Sequence, residues 1–306
     1  MTEQQPTLVI GAGHNGLVCA TYLARAGRAV TVLEASAQVG GAAVTREFAP
    51  GFKVSAVAHL LYLLDPRVEL ELGLGQHGLS YAKRGLRTVA LSPDRAPLCF
   101  AGGAVHSGEV TAADREALGA YAERMGRFSG LIARQHRRVP PRLSFDSWSA
   151  ALPAAALALD LRRLGRRELR EFLRVATMNI FDVLEEQFDN PLLKGALALD
   201  GVLGTKLGPR SGSTVYAALY RHSGAAQGAN AGLALPRGGM GAVSAALAAA
   251  ARAAGVEIRC ATPVREIVMR DGRAVGVRLE DGQELAAGCV ISNADPKTTL
   301  LGLLGA

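Results

Sequence analysis

Residues 8–34 read LVIGAGHNGLVCATYLARAGRAVTVLE, and this stretch decides the fold. Leu8, Val9 and Ile10 form a short apolar run suited to a buried parallel strand. Gly11, Gly13 and Gly16 follow at G-x-G-x-x-G spacing. The first glycine permits the tight turn out of the strand, the second lets the backbone approach a pyrophosphate, and the third lets the next helix lie close on the sheet. The phosphates would then rest on free N–H groups at the helix N-terminus. Leu17, Ala20, Leu23 and Ala24 give that helix an apolar stripe, and Gly27 is placed to end it. Ala29 to Leu33 make a second strand. Glu34 stands at its end, roughly 20 residues past the glycines, where a carboxylate can accept ribose hydroxyls. The glycine spacing alone is a weak signal, whereas strand, glycines, helix, strand and acid together predict a dinucleotide-binding βαβ unit. A 2′-phosphate beside Glu34 would be repelled, so the site suits FAD or NAD better than NADP.

Beyond the acid the sequence continues ASAQVGGAAVTREFAPGF (35–52), with a second glycine pair at Gly40 and Gly41. This resembles the signature of the glutathione reductase-type FAD fold of amine oxidases and phytoene desaturases. Within that group GAGHNGLVCATYLARAG, VGGAAVTREFAPGF, LPRGGMGAVSAAL and VISNADPKTTLLGL look most like the family of pyridine nucleotide-disulfide oxidoreductase domain-containing protein 2, a neighbour of the carotenoid desaturases and ketolases. The resemblance runs from residue 7 to the end. It implies FAD as cofactor. The candidate cofactor-binding set is Gly11, Ala12, Gly13, His14, Asn15, Gly16, Glu34, Ala35, Gly40, Gly41 and Ala42, to which the resemblance adds Val264 through its backbone against the adenine. Ala42 and Ala43 follow the glycine pair where many amine oxidases place Arg, so contacts made by that arginine do not carry over.

The second half supports the same reading. Leu235 to Met240 make a turn, the Ala-rich stretch from Val243 to Ala254 a helix ending at Gly255, and Val256, Ile258 and Cys260 an alternating strand. Asp271-Gly272 and Asp281-Gly282 then separate alternating segments, which predicts a β-meander.

From about Thr111 to Asp200 the chain is rich in Arg, Leu and Ala, with helical periodicity at Leu161, Leu164, Leu169, Phe172 and Leu173. It reads as an inserted helical substrate or cap domain. Arg162, Arg163, Arg166, Arg167, Arg170 and Arg174 decorate the other face of one helix; Glu168 and Glu171 among them favour a solvated face over a peripheral membrane contact. The expected architecture is therefore α/β: a glutathione reductase-type, Rossmann-like FAD-binding domain with a β-meander, from residues 1–110 and 225–306, and a mostly helical domain over 111–224.

At 306 residues and 49% hydrophobic, the chain can bury one or two cores. The net charge is +7, but aromatics are 5% and do not alternate with basic residues, which argues against nucleic acid as partner. The apolar run Ala150 to Leu159 is too short to span a bilayer. Only Met1 to Pro6 precede the first strand, so no targeting segment is expected and the cytoplasm is the default compartment. Cys19, Cys99, Cys260 and Cys289 are widely spaced and read as inert buried thiols, without a redox disulfide motif. The scattered histidines form no metal-ligand spacing, so no metal is expected.

Flavin chemistry needs no catalytic triad: the cofactor takes a hydride from a C–H bond while the protein positions a small apolar substrate. His59 and Tyr62, in SAVAHLLYLLDP, are weak candidates to face flavin or substrate, and Asn179 and Asp182 in MNIFDV weaker ones. The electron acceptor and oligomeric state are not readable. The chain stops at NADPKTTLLGLLGA, where the family's members continue to a last glycine-rich flavin-gripping segment. The expectation is a truncated chain that holds the ADP half of FAD, grips the ring poorly, and exposes an apolar patch around Leu300 and Leu301. Two alternatives stand beside an FAD-dependent oxidoreductase or desaturase. One is a non-catalytic FAD-binding or regulatory protein, and the other an NAD-dependent dehydrogenase, which the glycine pair and meander disfavour.

Overall fold

The computed structural model describes residues 5–140, 148–226 and 232–305. The chain divides into two compact units, the first made of Met1–Leu61, Pro66–Lys83 and Ala234–Ala306, the second of Tyr62–Asp65 and Arg84–Leu233.

The first unit is built on four short parallel strands, in the spatial order Glu257–Arg259, Val30–Leu33, Thr7–Ile10, Cys289–Ser292. Every residue of Thr7–Ile10 is buried, as the continuous apolar run requires of a strand covered on both faces. The helix His14–Arg25 returns the chain to Val30–Leu33, and the helix Gly241–Ala253 packs beside it. Ala20 on one and Ala246, Ala250 and Ala251 on the other are all buried, which is why small residues recur there. The meander forms as expected from Val264–Arg270, Arg273–Leu279 and Glu284–Ala286. Asp271 and Gly272 both take positive φ at its first turn (49° and 72°), the conformation that Asp-Gly supplies to a two-residue hairpin. Val277, Leu279 and Ile267 of the meander bury against Leu8, Ile10 and Leu33 of the sheet.

Among its described residues the second unit combines six helices, including Ala112–His136, Pro191–Val202 and Thr214–Ala226, with an antiparallel sheet of Thr88–Ala90, Leu98–Ala101 and Ala104–Ser107. The division of the chain thus falls at 84 and 233, rather than at 110 and 225. Leu98 and Phe100 bury in the same core as Leu118, Tyr121 and Met125, so this small sheet belongs with the helices. The arginine-rich segment is two helices, Trp148–Arg163 and Gly165–Val175, and not one, because Gly165 takes φ 78° and breaks the ladder. Arg174 pairs with Glu171 and Glu186, and Arg127 with Glu168, as on a solvated face.

The four cysteines are free and only partly buried, which corrects the expectation of buried thiols. Leu303 in the terminal turn Thr298–Leu303 is buried against the meander cluster, while Leu300 and Leu301 are exposed. Among the described residues no helix is long and apolar enough to cross a membrane, and no His/Cys/Asp/Glu group could hold a metal ion.

Candidate nucleotide site and a second cavity

The central strand of the parallel sheet delivers the glycine loop to the sheet's carboxyl edge, between Val30–Leu33 and Cys289–Ser292. Gly11 donates its N–H to the Leu33 carbonyl at 2.8 Å. A Cβ on Gly16 would stand 2.2 Å from the Gly11 carbonyl oxygen, so the helix can start this close to the turn only with glycine there. Gly13 is the N-cap residue and no side chain caps the helix, which leaves first-turn N–H groups for an acceptor from outside. His14 and Asn15 are exposed on that first turn. Protein packed around the His14 ring disfavours its imidazolium and lowers its pKa even though part of the residue reaches solvent.

Glu34 is buried and held at both oxygens. Oε2 accepts the Ala12 N–H at 2.7 Å and Oε1 the Ser36 N–H at 2.9 Å. Its backbone is fixed too, donating to Arg259 and accepting from Thr262. Each carboxylate oxygen keeps a lone pair for a further donor. Expected from the sequence as an acceptor for a ligand, this acid is in the structure the clamp of the glycine loop.

The second glycine pair closes on the first. Gly40 donates to the Ala12 carbonyl at 2.9 Å and bridges Gly13 in parallel, with φ 131° and no room for a Cβ, which would lie 2.7 Å from the Ala43 carbonyl oxygen. Ala35, Gly41 and Ala42 are exposed around this closure. The LPRGGMG turn is anchored on the same segment: Thr45 Oγ1 donates to the Gly238 carbonyl and accepts the Gly241 N–H, each at 3.0 Å.

Val264 begins the meander, and its side chain packs on the Leu8, Ile10 and Leu33 cluster. Thr262, two residues earlier, is the one bonded to Glu34. Sequence reasoning missed Asn293. It follows the strand Cys289–Ser292, donates its N–H to Ile10, and brings its side-chain amide nitrogen to 3.2 Å from where a Cβ on Gly13 or Gly16 would lie. Its signal was position: an amide residue just past a strand paired with the first strand must reach the sheet's carboxyl edge.

The remaining candidates are scattered. His59 is exposed in the first unit, while Tyr62 belongs to the second. There it lines a cavity of about 600 Å³ whose walls lie wholly within that unit, with the Arg221 guanidinium 4.6 Å from its ring centre. Asn179 and Asp182 form a helix cap: Asn179 Oδ1 accepts the Asp182 N–H at 2.8 Å and its amide donates to the Asp182 carboxylate, which is a structural task.

Residues 16–300 match the family described as flavin containing amine oxidoreductase. The pyridine nucleotide-disulfide oxidoreductase domain-containing protein 2 of Mus musculus is 33% identical over 321 residues, an alignment covering 99% of this chain and 55% of that protein. Hydroxyneurosporene desaturase of Rhodobacter capsulatus is 30% identical over 316 residues, covering 100% of this chain and 59% of the desaturase. The chain spans about half the length of the curated relatives it matches. In fold, it resembles the structure of putrescine oxidase bound to putrescine, with a TM-score of 0.59 at 20% identity over 96% of this chain and 59% of that one.

Proposed function

This chain belongs to the flavin-containing amine oxidoreductase family, whose cofactor is FAD, and from that premise we propose that it is an FAD-dependent oxidoreductase acting on an apolar substrate. In this reading the first unit holds the nucleotide and the second the substrate. The carrying observation is Glu34, buried and fixed at the carboxyl edge of the sheet beside a glycine turn that excludes side chains. When bound, the flavin ring supplies the acceptor for a hydride from a substrate C–H bond.

The chain's own residues do the rest. The first-turn N–H groups of His14–Arg25 take the pyrophosphate, with Gly13 and Gly16 giving it access. The free lone pairs of Glu34 accept ribose hydroxyls, and its charge repels a 2′-phosphate. Asn293 offers an amide donor above the glycines. Gly40 and Gly41 keep the adjoining segment close enough to wall the site. The largely apolar lining of the cavity in the second unit supports an apolar substrate. Four cysteines, all free, suit a cytoplasmic setting.

The test is to purify the chain, record its visible spectrum, and identify the nucleotide released on denaturation. Near-stoichiometric FAD supports the reading. Colourless protein that fails to take up FAD, or that prefers NADH, overturns it.

A further inference from the structure

The helix Trp148–Arg163 of the second unit leaves one side uncovered. Between 152 and 159 its exposed positions hold only Leu152, Ala155, Ala158 and Leu159, and the two leucines are 67% and 48% exposed. Positions 152, 155, 159 and 162 recur at three- and four-residue steps, so the leucines form one stripe that Arg162 and Arg163, both exposed, continue at the C-terminal end. The opposite side is fixed by Asp160, whose side chain is 1% exposed and meets the end of the helix Ala112–His136. Water alone gives an apolar stripe of this kind nothing to bury against.

The charge beside the stripe is one-sided. Asp160 gathers three guanidinium groups, with Arg134 Nε and Arg163 Nη1 each at 3.6 Å and Arg138 Nη1 closer, and Gln135 Nε2 donates to it at 3.1 Å. One carboxylate balances one of the three cations and leaves two in excess. Arg162 adds a further positive charge, with no ion pair among the described residues, while Arg137 is balanced by Asp65. The following helix differs: Arg174 is closed by Glu171 and Glu186, and Glu168 by Arg127, so its charge is neutralised locally. An acidic protein or a nucleic acid would answer the arginines and not the leucines. An anionic bilayer answers both, with phosphates for the guanidinium groups and the headgroup–acyl boundary for the apolar stripe.

We propose that the helix Trp148–Arg163 docks the protein on an anionic phospholipid surface, with the Leu152–Leu159 stripe in the headgroup–acyl boundary and Arg162, Arg163 and the surplus charge gathered at Asp160 facing lipid phosphates. Docking is a property of this surface and does not depend on the oxidoreductase reading.

The test floats the full chain with vesicles of phosphatidylcholine and phosphatidylglycerol, and with vesicles of phosphatidylcholine alone. At about 0.1 M salt the protein should rise with the first and stay behind with the second. It should leave the anionic vesicles near about 1 M salt, where the screening length falls from about 10 to about 3 Å. Replacing both arginines, Arg162→Gln with Arg163→Gln, should weaken binding about 10-fold or more, since one basic side chain near an anionic surface is worth about 5-fold. Asp160 keeps Arg134 and Arg138 in that variant, so it should melt with the wild type. Leu152→Ser with Leu159→Ser keeps every charge and should also weaken binding several-fold, whereas Arg174→Gln should bind as the wild type does. No flotation with anionic vesicles, equal flotation with both kinds, undiminished binding in the arginine or the leucine variant, or an equal loss in Arg174→Gln overturns the proposal. Binding to soluble polyglutamate as tight as to the vesicles would mark an acidic protein as the partner and overturn it as well.

Discussion

Glu34 Oε2 and the Ala12 amide, 22 residues apart in sequence, meet at 2.7 Å and tie the end of the second strand to the middle of the glycine loop. A group expected to serve only the ligand thus also shapes the loop that receives it. Glu34→Gln keeps one acceptor oxygen and turns the other position into a donor facing a backbone N–H. The expected result is a loss of about 1–3 kcal/mol in stability, the cost of one buried donor left unpaired. Flavin retention should fall with it. Thermal melting and the flavin-to-protein absorbance ratio check both, and an unchanged melt would show that this bond carries no weight.

Gly16→Ala tests the cradle itself. The added methyl would stand 2.2 Å from the Gly11 oxygen, so the helix start must retreat from the turn that directs its N–H groups. Alanine otherwise favours a helix by up to about 1 kcal/mol over glycine, so a loss here reports the clash and not propensity. The variant should purify folded, with little or no FAD. Full FAD occupancy would mean that the phosphates lie elsewhere.

His14 gives a pH dependence whose sign is fixed. Its folded pKa lies below the ordinary 6.5, so its contribution to stability is intact above that value and is lost as pH falls through the folded pKa. A pyrophosphate bound at the same helical turn favours the imidazolium and raises that pKa, so binding takes up a proton. FAD affinity should then strengthen as pH falls from about 8 and go on strengthening below the ordinary histidine value, until the free protein's lowered His14 pKa is reached. In His14→Gln the affinity profile should flatten across this window, as judged by fluorescence titration of FAD. A profile identical to the wild type would remove His14 from the phosphate site.

The nucleotide unit was legible because its determinants are local. Leu8–Ile10, the glycines, the Ala20 stripe and Glu34 lie within one βαβ unit, and the Asp271-Gly272 turn announces itself by residue type. What escaped depends on distant pairing. Asn293 reaches the glycine loop only because Cys289–Ser292 pairs with Thr7–Ile10, a register that no window of sequence encodes. Leu98 and Phe100 alternate like any strand, and only their shared core with Leu118 and Tyr121 moves that sheet into the second unit. The Asp200–Arg221 pair joins two helices through polar residues that, read in sequence, look like ordinary surface positions.

The contact that sets Tyr62 beneath Arg221 is itself testable at Gly224, in the helix Thr214–Ala226. A Cβ there would fall 1.7 Å from the Tyr62 carbonyl oxygen, far inside any tolerable approach and against backbone that cannot rotate away. Two effects of Gly224→Ala oppose each other. Alanine gains up to about 1 kcal/mol of helix propensity, whereas forcing atoms into a filled site costs about 1–3 kcal/mol or more. At this separation the clash wins, so the variant should melt at lower temperature than the wild type. Relief can come only by moving the Tyr62 backbone or the helix that carries Arg221, and either shifts the ring from under the guanidinium. A variant more stable than the wild type would mean that helix and Tyr62 separate freely, and that the stack on Arg221 is not held in place by this packing.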